Sequence, residues 1–288
     1  MRYQVLHETS YKYESPVVLS QQLLHLCPRE LAWQSRQAHR IAIEPEPAEI
    51  SAREDYFGNP VTQIMLAAPH SSLALRAESQ VTVAPRQAPA GGASWEDLRD
   101  RLRSTRAESP GEPVQFLFES PHVECLRELS AYAAPSFPPG RSALEATRDL
   151  TRRIYADFKF DPKATSVSTP LREVLAKRRG VCQDFAHLMT GCLRTLGLAA
   201  RYVSGYILTT PPPGKPRLVG ADASHAWVSV YCGEPGWVDF DPTNDCIVGD
   251  GHVTLAWGRD FSDVTPMRGV ILGGGEQELA VHVTVTPI

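Results

Sequence analysis

Over roughly the first 85 residues, apolar and polar positions alternate with period two. The runs RYQVLHETSYKYES, HRIAIEPEPAEISAREDYFGNPVTQIML and SLALRAESQVTVAP carry strand-length alternation broken by turn residues, as strands with one buried face do. Gly58-Asn59-Pro60 lies between two such runs and predicts a turn or hairpin. RQAPAGGAS, 86–94, then shifts sharply to Pro, Gly and Ala. A domain boundary is expected there, giving a β-rich unit over 1–86 and a second unit over 94–288.

The pattern then turns helical. Ser94 can cap WEDLRDRLRS, whose first turn is acidic, as the helix dipole favours. After the SFPPG break, Ser142 and Glu145 form a capping box opening ALEATRDLTRRIYADF. Thr169-Pro170 repeats the signal, cap then proline at the first helical position, for LREVLAKR. In RRGVCQDFAHLMTGCLRTLG the residues Phe185, Leu188, Met189, Cys192 and Leu196 recur at helical spacing. That stripe should be buried, with Cys192 packing inside it and Gly197 ending the helix in the left-handed region.

Beyond Gly197 the period returns to two. ARYVSGYIL, HAWVSVY and GWVDFD read as three strands, with a Pro-rich loop (TTPPPGKPR) after the first and CGEPG as a hairpin turn between the others. ELAVHVTVTP is a further half-buried strand, and Gly273 to Gly275 read as a flexible turn, since no GKS/T follows. Helices followed by antiparallel strands predict α+β for the second unit.

Composition narrows the chemistry. Basic and acidic residues number 29 and 33, a net charge of -4, which argues against a protein built to coat nucleic acid or an anionic membrane. No apolar run reaches the length of a membrane helix and no secretory leader pattern opens the chain. Six scattered cysteines form no CxxC pair, so reduced thiols in a cytoplasm are expected. Cys182 and His187, at i,i+5, lie on differing faces of one helix, so no structural zinc is expected. The DxDxDG pattern of a calcium loop is also absent.

Cys182 opens its helix, where unpaired N–H groups and the dipole favour a thiolate. Arg178 and Arg179 could add positive potential if their heads reach back toward the sulfur. A buried, inert thiol is the competing reading. A nucleophile needs a base and a group that orients it. His225, in DASHAWVSVY, begins one strand, and Asp241, in GWVDFDPTND, ends the next. With the turn centred near 233–235, His225 falls opposite residues 241–245. The two share a face only if the connecting loop has an odd residue count or a bulge shifts the register. Asp239 and Asp245 stand as alternatives to Asp241. Asp222 and Ser224 should shape the approach to His225. Spacing alone leaves nucleophile and inert thiol both open.

GVCQDFAHL, ARYVSGY, DASHAWVSVY and GWVDFDPTND strongly resemble the bacterial transglutaminase-like superfamily, whose core is related to papain-type cysteine proteases. YKYESPVVLS…REDYFGNPVT resembles the β-rich N-terminal domain accompanying such cores, and WGRDFSDVTPMRGVILGGG resembles a further family segment. The resemblance implies a triad of Cys182, His225 and Asp241. It further implies amide chemistry through a thioester, resolved by water in a protease or amidase and by a primary amine in a transglutaminase.

The expected protein is therefore a cytoplasmic enzyme with a papain-like transglutaminase core. It acts on a peptide or protein substrate, with an amine co-substrate on the transfer branch and no metal or organic cofactor. Asp184 and Trp227 are the candidate substrate-binding residues; the competing readings are a dipole-favoured helix start for Asp184 and a core aromatic for Trp227. His187 reads as a satisfied or exposed histidine. The rival for the whole chain is a binding or scaffold module that keeps the fold without chemistry.

Overall fold

The computed structural model describes residues 1–87, 89–104, 112–209 and 224–288. The Pro-rich loop after ARYVSGYIL and Asp222 lie outside them. The chain begins with β1 (Arg2–Leu24), β2 (Gln34–Glu44), β3 (Glu49–Glu54), β4 (Pro60–Leu66) and β5 (His70–Val83). Helices α1 (Trp95–Ser104), α2 (Arg127–Ala133) and α3 (Ala143–Asp157) follow. The short strands β6 (Lys159–Phe160) and β7 (Arg179–Gly180) flank α4 (Leu171–Lys177) and lead into α5 (Cys182–Thr195). Next come β8 (Ala200–Ile207), β9 (Ser224–Tyr231), β10 (Trp237–Asp241), β11 (Cys246–Ile247) and β12 (His252–Gly258). The order closes with α6 (Phe261–Val264), β13 (Met267–Gly273) and β14 (Gln277–Pro287). The class is α+β, as the periodicities predict.

Two antiparallel sheets organise the molecule. In the first, β1 is 23 residues long and serves two neighbourhoods. Its first half lies between β5 and β14, and its second half between β4 and β13. The strand expected from ELAVHVTVTP thus joins the N-terminal sheet, with Leu279 opposite Tyr11 and Val283 opposite His7. A second unit running unbroken from 94 to 288 is corrected accordingly: residues 267–287 return to the first sheet. Alternation identifies a strand's buried face but not the edge that receives it.

The second sheet has the order β11-β10-β9-β8-β12, with α5 packed along β8 and β9. Phe185, Leu188, Met189 and Cys192 are buried against it, while Leu196 stays partly exposed. Gly197 turns left-handed at φ 79°, as predicted. Ser94 and Ser142 accept hydrogen bonds from the backbone N–H groups of Asp97 and Glu145. Thr169 does not cap α4, because Pro170 takes the N-cap position and the Thr169 hydroxyl accepts from Ser166 N–H instead.

β12 is the edge strand beside β8, and the N-terminal unit covers part of that edge through two side-chain amides. Gln34 donates to Thr254 O and accepts from its N–H, both at 2.8 Å. Asn59, from the predicted Gly58-Asn59-Pro60 turn, does the same for Trp257 at 2.8 and 2.9 Å. Each amide stands in for a neighbouring strand and satisfies backbone groups that burial would otherwise penalise.

Candidate active site

Cys182 is the first residue of α5 and is partly exposed. The helix begins sharply because Val181 is extended (φ -113°, ψ 179°) and Asp184 reaches back over it. Asp184 Oδ2 accepts from Val181 N–H at 2.8 Å and from the Thr165 hydroxyl at 2.6 Å. Burial pushes this carboxyl up, against the pull of those bonds. Asp184 is 3% exposed. It holds the helix start and is not available to a substrate, which corrects the binding role expected for it.

The hairpin that carries the base meets the parity condition. Tyr231 pairs with Trp237 across the five residues 232–236, so residues of equal parity share a face. His225 and Asp241 are diagonal neighbours in this register, and His225 Nε2 donates to Asp241 Oδ2 at 2.7 Å. With Nε2 occupied, Nδ1 is the ring atom left for Cys182, which acts on this imidazole as a hydrogen-bond and charge partner. Burial alone would lower the His225 pKa; the bonds and charges of Asp241 and Cys182 outweigh it and raise the value to about 10. An imidazolium is thereby favoured beside the sulfur.

Asp241 is fully buried, which would raise its pKa, but its donors hold the carboxyl well below the usual range. Oδ1 accepts from Thr243 N–H at 2.9 Å and from Asn244 N–H at 3.3 Å. Oδ2 accepts from His225, from the Asn244 side-chain amide at 2.6 Å and from His252 Nε2 at 3.1 Å. Asn244 and His252 are absent from the sequence-based candidates. HVTLAWG, between Gly251 and Gly258, is a strand-length run whose leading histidine was the available signal. The ligand atoms of His225, Asp241 and His252 lie within 4.8 Å of one another. The Asn244 N–H aims at the same oxygen, placing a donor where a cation would need a lone pair.

Other expectations resolve by position. Trp227 is fully buried, its ring 6.1 Å from that of His225. It backs the imidazole rather than contacting substrate, which corrects its assignment. Arg178 lies over the Tyr132 and Phe158 rings and pairs with Asp157 at 3.3 Å, and Arg179 faces Asp161 at 3.8 Å. Both guanidinium groups thus have carboxylate partners of their own. His187 is buried, and its Nε2 accepts from Phe261 N–H at 3.1 Å. Asp239 pairs with Arg86 at 3.0 Å, so it does not serve His225. Ser224 opens β9 immediately before His225.

Residues 3–82 match the bacterial transglutaminase-like N-terminal region, and residues 131–242 match the transglutaminase-like superfamily. An uncharacterised protein of Mycobacterium tuberculosis is 41% identical over 99% of this chain and 93% of its own length. A protein-glutamine gamma-glutamyltransferase of Pseudomonas aeruginosa is 34% identical over 36% of this chain and 17% of its own length. The solved structure of a candidate cysteine protease from Cytophaga hutchinsonii superposes with TM-score 0.77 at 20% identity. That likeness covers 99% of this chain and 90% of the other, and speaks to the fold. From the strand order through the segment around Cys182 to relatives matched along nearly their whole length, one conclusion follows: this chain belongs to the transglutaminase-like superfamily, in the form that carries the bacterial N-terminal region.

Proposed function

We propose that the protein performs thiol-dependent amide-bond chemistry through Cys182, His225 and Asp241, with hydrolysis of a peptide or protein substrate ahead of acyl transfer to an amine. The observation that carries this reading is the 2.7 Å bond between His225 and Asp241 on an imidazole that also partners Cys182. Cys182 as thiolate attacks the carbonyl carbon, and the C–N bond then breaks as His225 passes its proton to the departing amine. N–H groups at the start of α5 lack intrahelical partners and suit the tetrahedral oxyanion. His225 next takes a proton from water, which releases the acid from the thioester; an amine taking water's place gives transfer. Asp241 keeps the imidazole in the tautomer this sequence needs.

Partial exposure of Cys182 favours water as acceptor. The glutamyltransferase relative supports the transfer branch, over the matched stretch only. A peptide library incubated with the protein and a primary amine separates cleavage, deamidation and amine incorporation by their mass shifts. Iodoacetamide at mildly acidic pH should alkylate Cys182 rapidly, and His225→Ala should slow this by about 10²-fold or more. Labelling no faster than a model thiol would favour a scaffold module instead. We also propose a cytoplasmic location, supported by six free cysteines; recovery outside the cytoplasm on cell fractionation would overturn it. No helix among the described residues is long and apolar enough to cross a membrane.

A further inference from the structure

Asp241 Oδ2 carries more donors than a triad requires. His225, Asn244 and His252 all direct N–H groups at it, at 2.7, 2.6 and 3.1 Å. His252 comes from β12, on the far side of β8 from His225. β8 presents Gly205 opposite His225, and the Trp227 ring takes the space a side chain there would need. Both histidines are buried, with ring centres 6.0 Å apart.

The other face of His252 bears on its protonation. Its Nδ1 is buried without a hydrogen-bond partner among the described residues, and so is the indole N–H of Trp227. The two rings meet edge to face at 5.3 Å. A proton on Nε2 serves the carboxylate and leaves the partnerless Nδ1 as a bare nitrogen. A proton on Nδ1 would be a buried donor with nothing to accept it and would turn a lone pair toward the carboxylate.

We propose that His252 is a positioning residue of the active site: its Nε2–H holds Asp241 and draws off part of the charge that would otherwise reach His225. This rests on the reading of Cys182, His225 and Asp241 as a triad. A carboxylate oxygen shared among three donors gives each a weaker bond. His225 is thereby left acidic enough to pass its proton to a leaving amine. Without His252 the carboxylate would bind imidazolium more tightly, His225 would keep its proton to higher pH, and proton donation would slow.

The titratable groups around this oxygen come from several elements. They are His225 from β9, His252 from β12, Cys246 opposite Asp241 on β11, and Cys182 through His225. Asp245 acts on Cys246, while Asp239 on the same strand is held by Arg86.

The test is the pH at which the His225 imidazolium loses its proton, followed through its imidazole ¹⁵N shifts. In His252→Phe that midpoint should rise by about half a unit or more. His252→Gln, which keeps a side-chain N–H, should restore the wild-type value. An unchanged midpoint, or a fall from simple loosening of Asp241, overturns the proposal. Independently of any variant, the imidazole ¹⁵N shifts of wild-type His252 should show Nε2 protonated and Nδ1 bare; the reverse overturns it. The triad reading fails separately, if His225→Ala leaves alkylation as fast as in the wild type.

Discussion

His187 shows how one side chain can link acidity to folding. Its ring accepts a backbone N–H from Phe261, stacks on His122 at 5.4 Å and is almost without water contact. Burial holds its pKa down to about 3, with His122 and Arg194 adding to the effect and Asp260 opposing it. The unfolded chain takes up this proton near pH 6.5, and the folded chain refuses it until far lower. Stability is therefore unaffected above neutrality and declines as pH falls from about 6.5 toward 3, by roughly 2 kcal/mol between pH 6.5 and 5. His187→Gln, whose carbonyl can accept the same N–H, should flatten that decline when urea midpoints are compared at pH 7.5 and 5. The pairing of His225 with Asp241 was readable because two strands and a short turn fix which residues share a face; Cys182 joined them only through the resemblance. His252 was not, since its own strand gives no sign of Asp241, and Asn244, three residues after Asp241, lies in a turn where no strand register says which way its side chain faces.

At the scale of elements, β8 works as a spacer. A Cβ on Gly205 would lie 2.2 Å from Val253 O and 2.4 Å from the Trp227 ring. Neither can retreat, as Val253 O belongs to β12 and Trp227 is fully enclosed. Gly205→Ala should therefore cost about 1–3 kcal/mol or more, read as a lowered thermal midpoint, and displace the Trp227 ring behind His225. Strand and helix types were legible wherever periodicity ran for two turns or four alternations, as in α3, α5, β9 and β10. Helix α2 was not read, because its seven residues are too short a window for a period. β13 lies in a segment known from its resemblance alone and β12, just ahead of it, was not read, so neither was assigned a place in a sheet.

For the whole molecule, the decisive feature is that the first strand is shared. Tyr3, Val5, Val81, Val83, Val283 and Val285 all enter the core that also contains α5. The N-terminal sheet is thus fused to the body that holds Cys182, and Gln34 and Asn59 hold the edge of the strand that bears His252. Deleting residues 267–288 should strip one flank from β1 along most of its length. The expected outcome is an aggregating protein with an exposed, pairing-competent edge; a monodisperse, cooperatively melting fragment in gel filtration and calorimetry would contradict it.

During synthesis the same arrangement imposes a delay. Arg2 leaves the ribosome well before Ile288, yet Ile288 donates to its carbonyl, at 2.9 Å. Contacts between segments so far apart in sequence are slow to find. Until β14 has emerged the nascent N-terminal sheet travels half-finished, with one flank of β1 open to a chaperone.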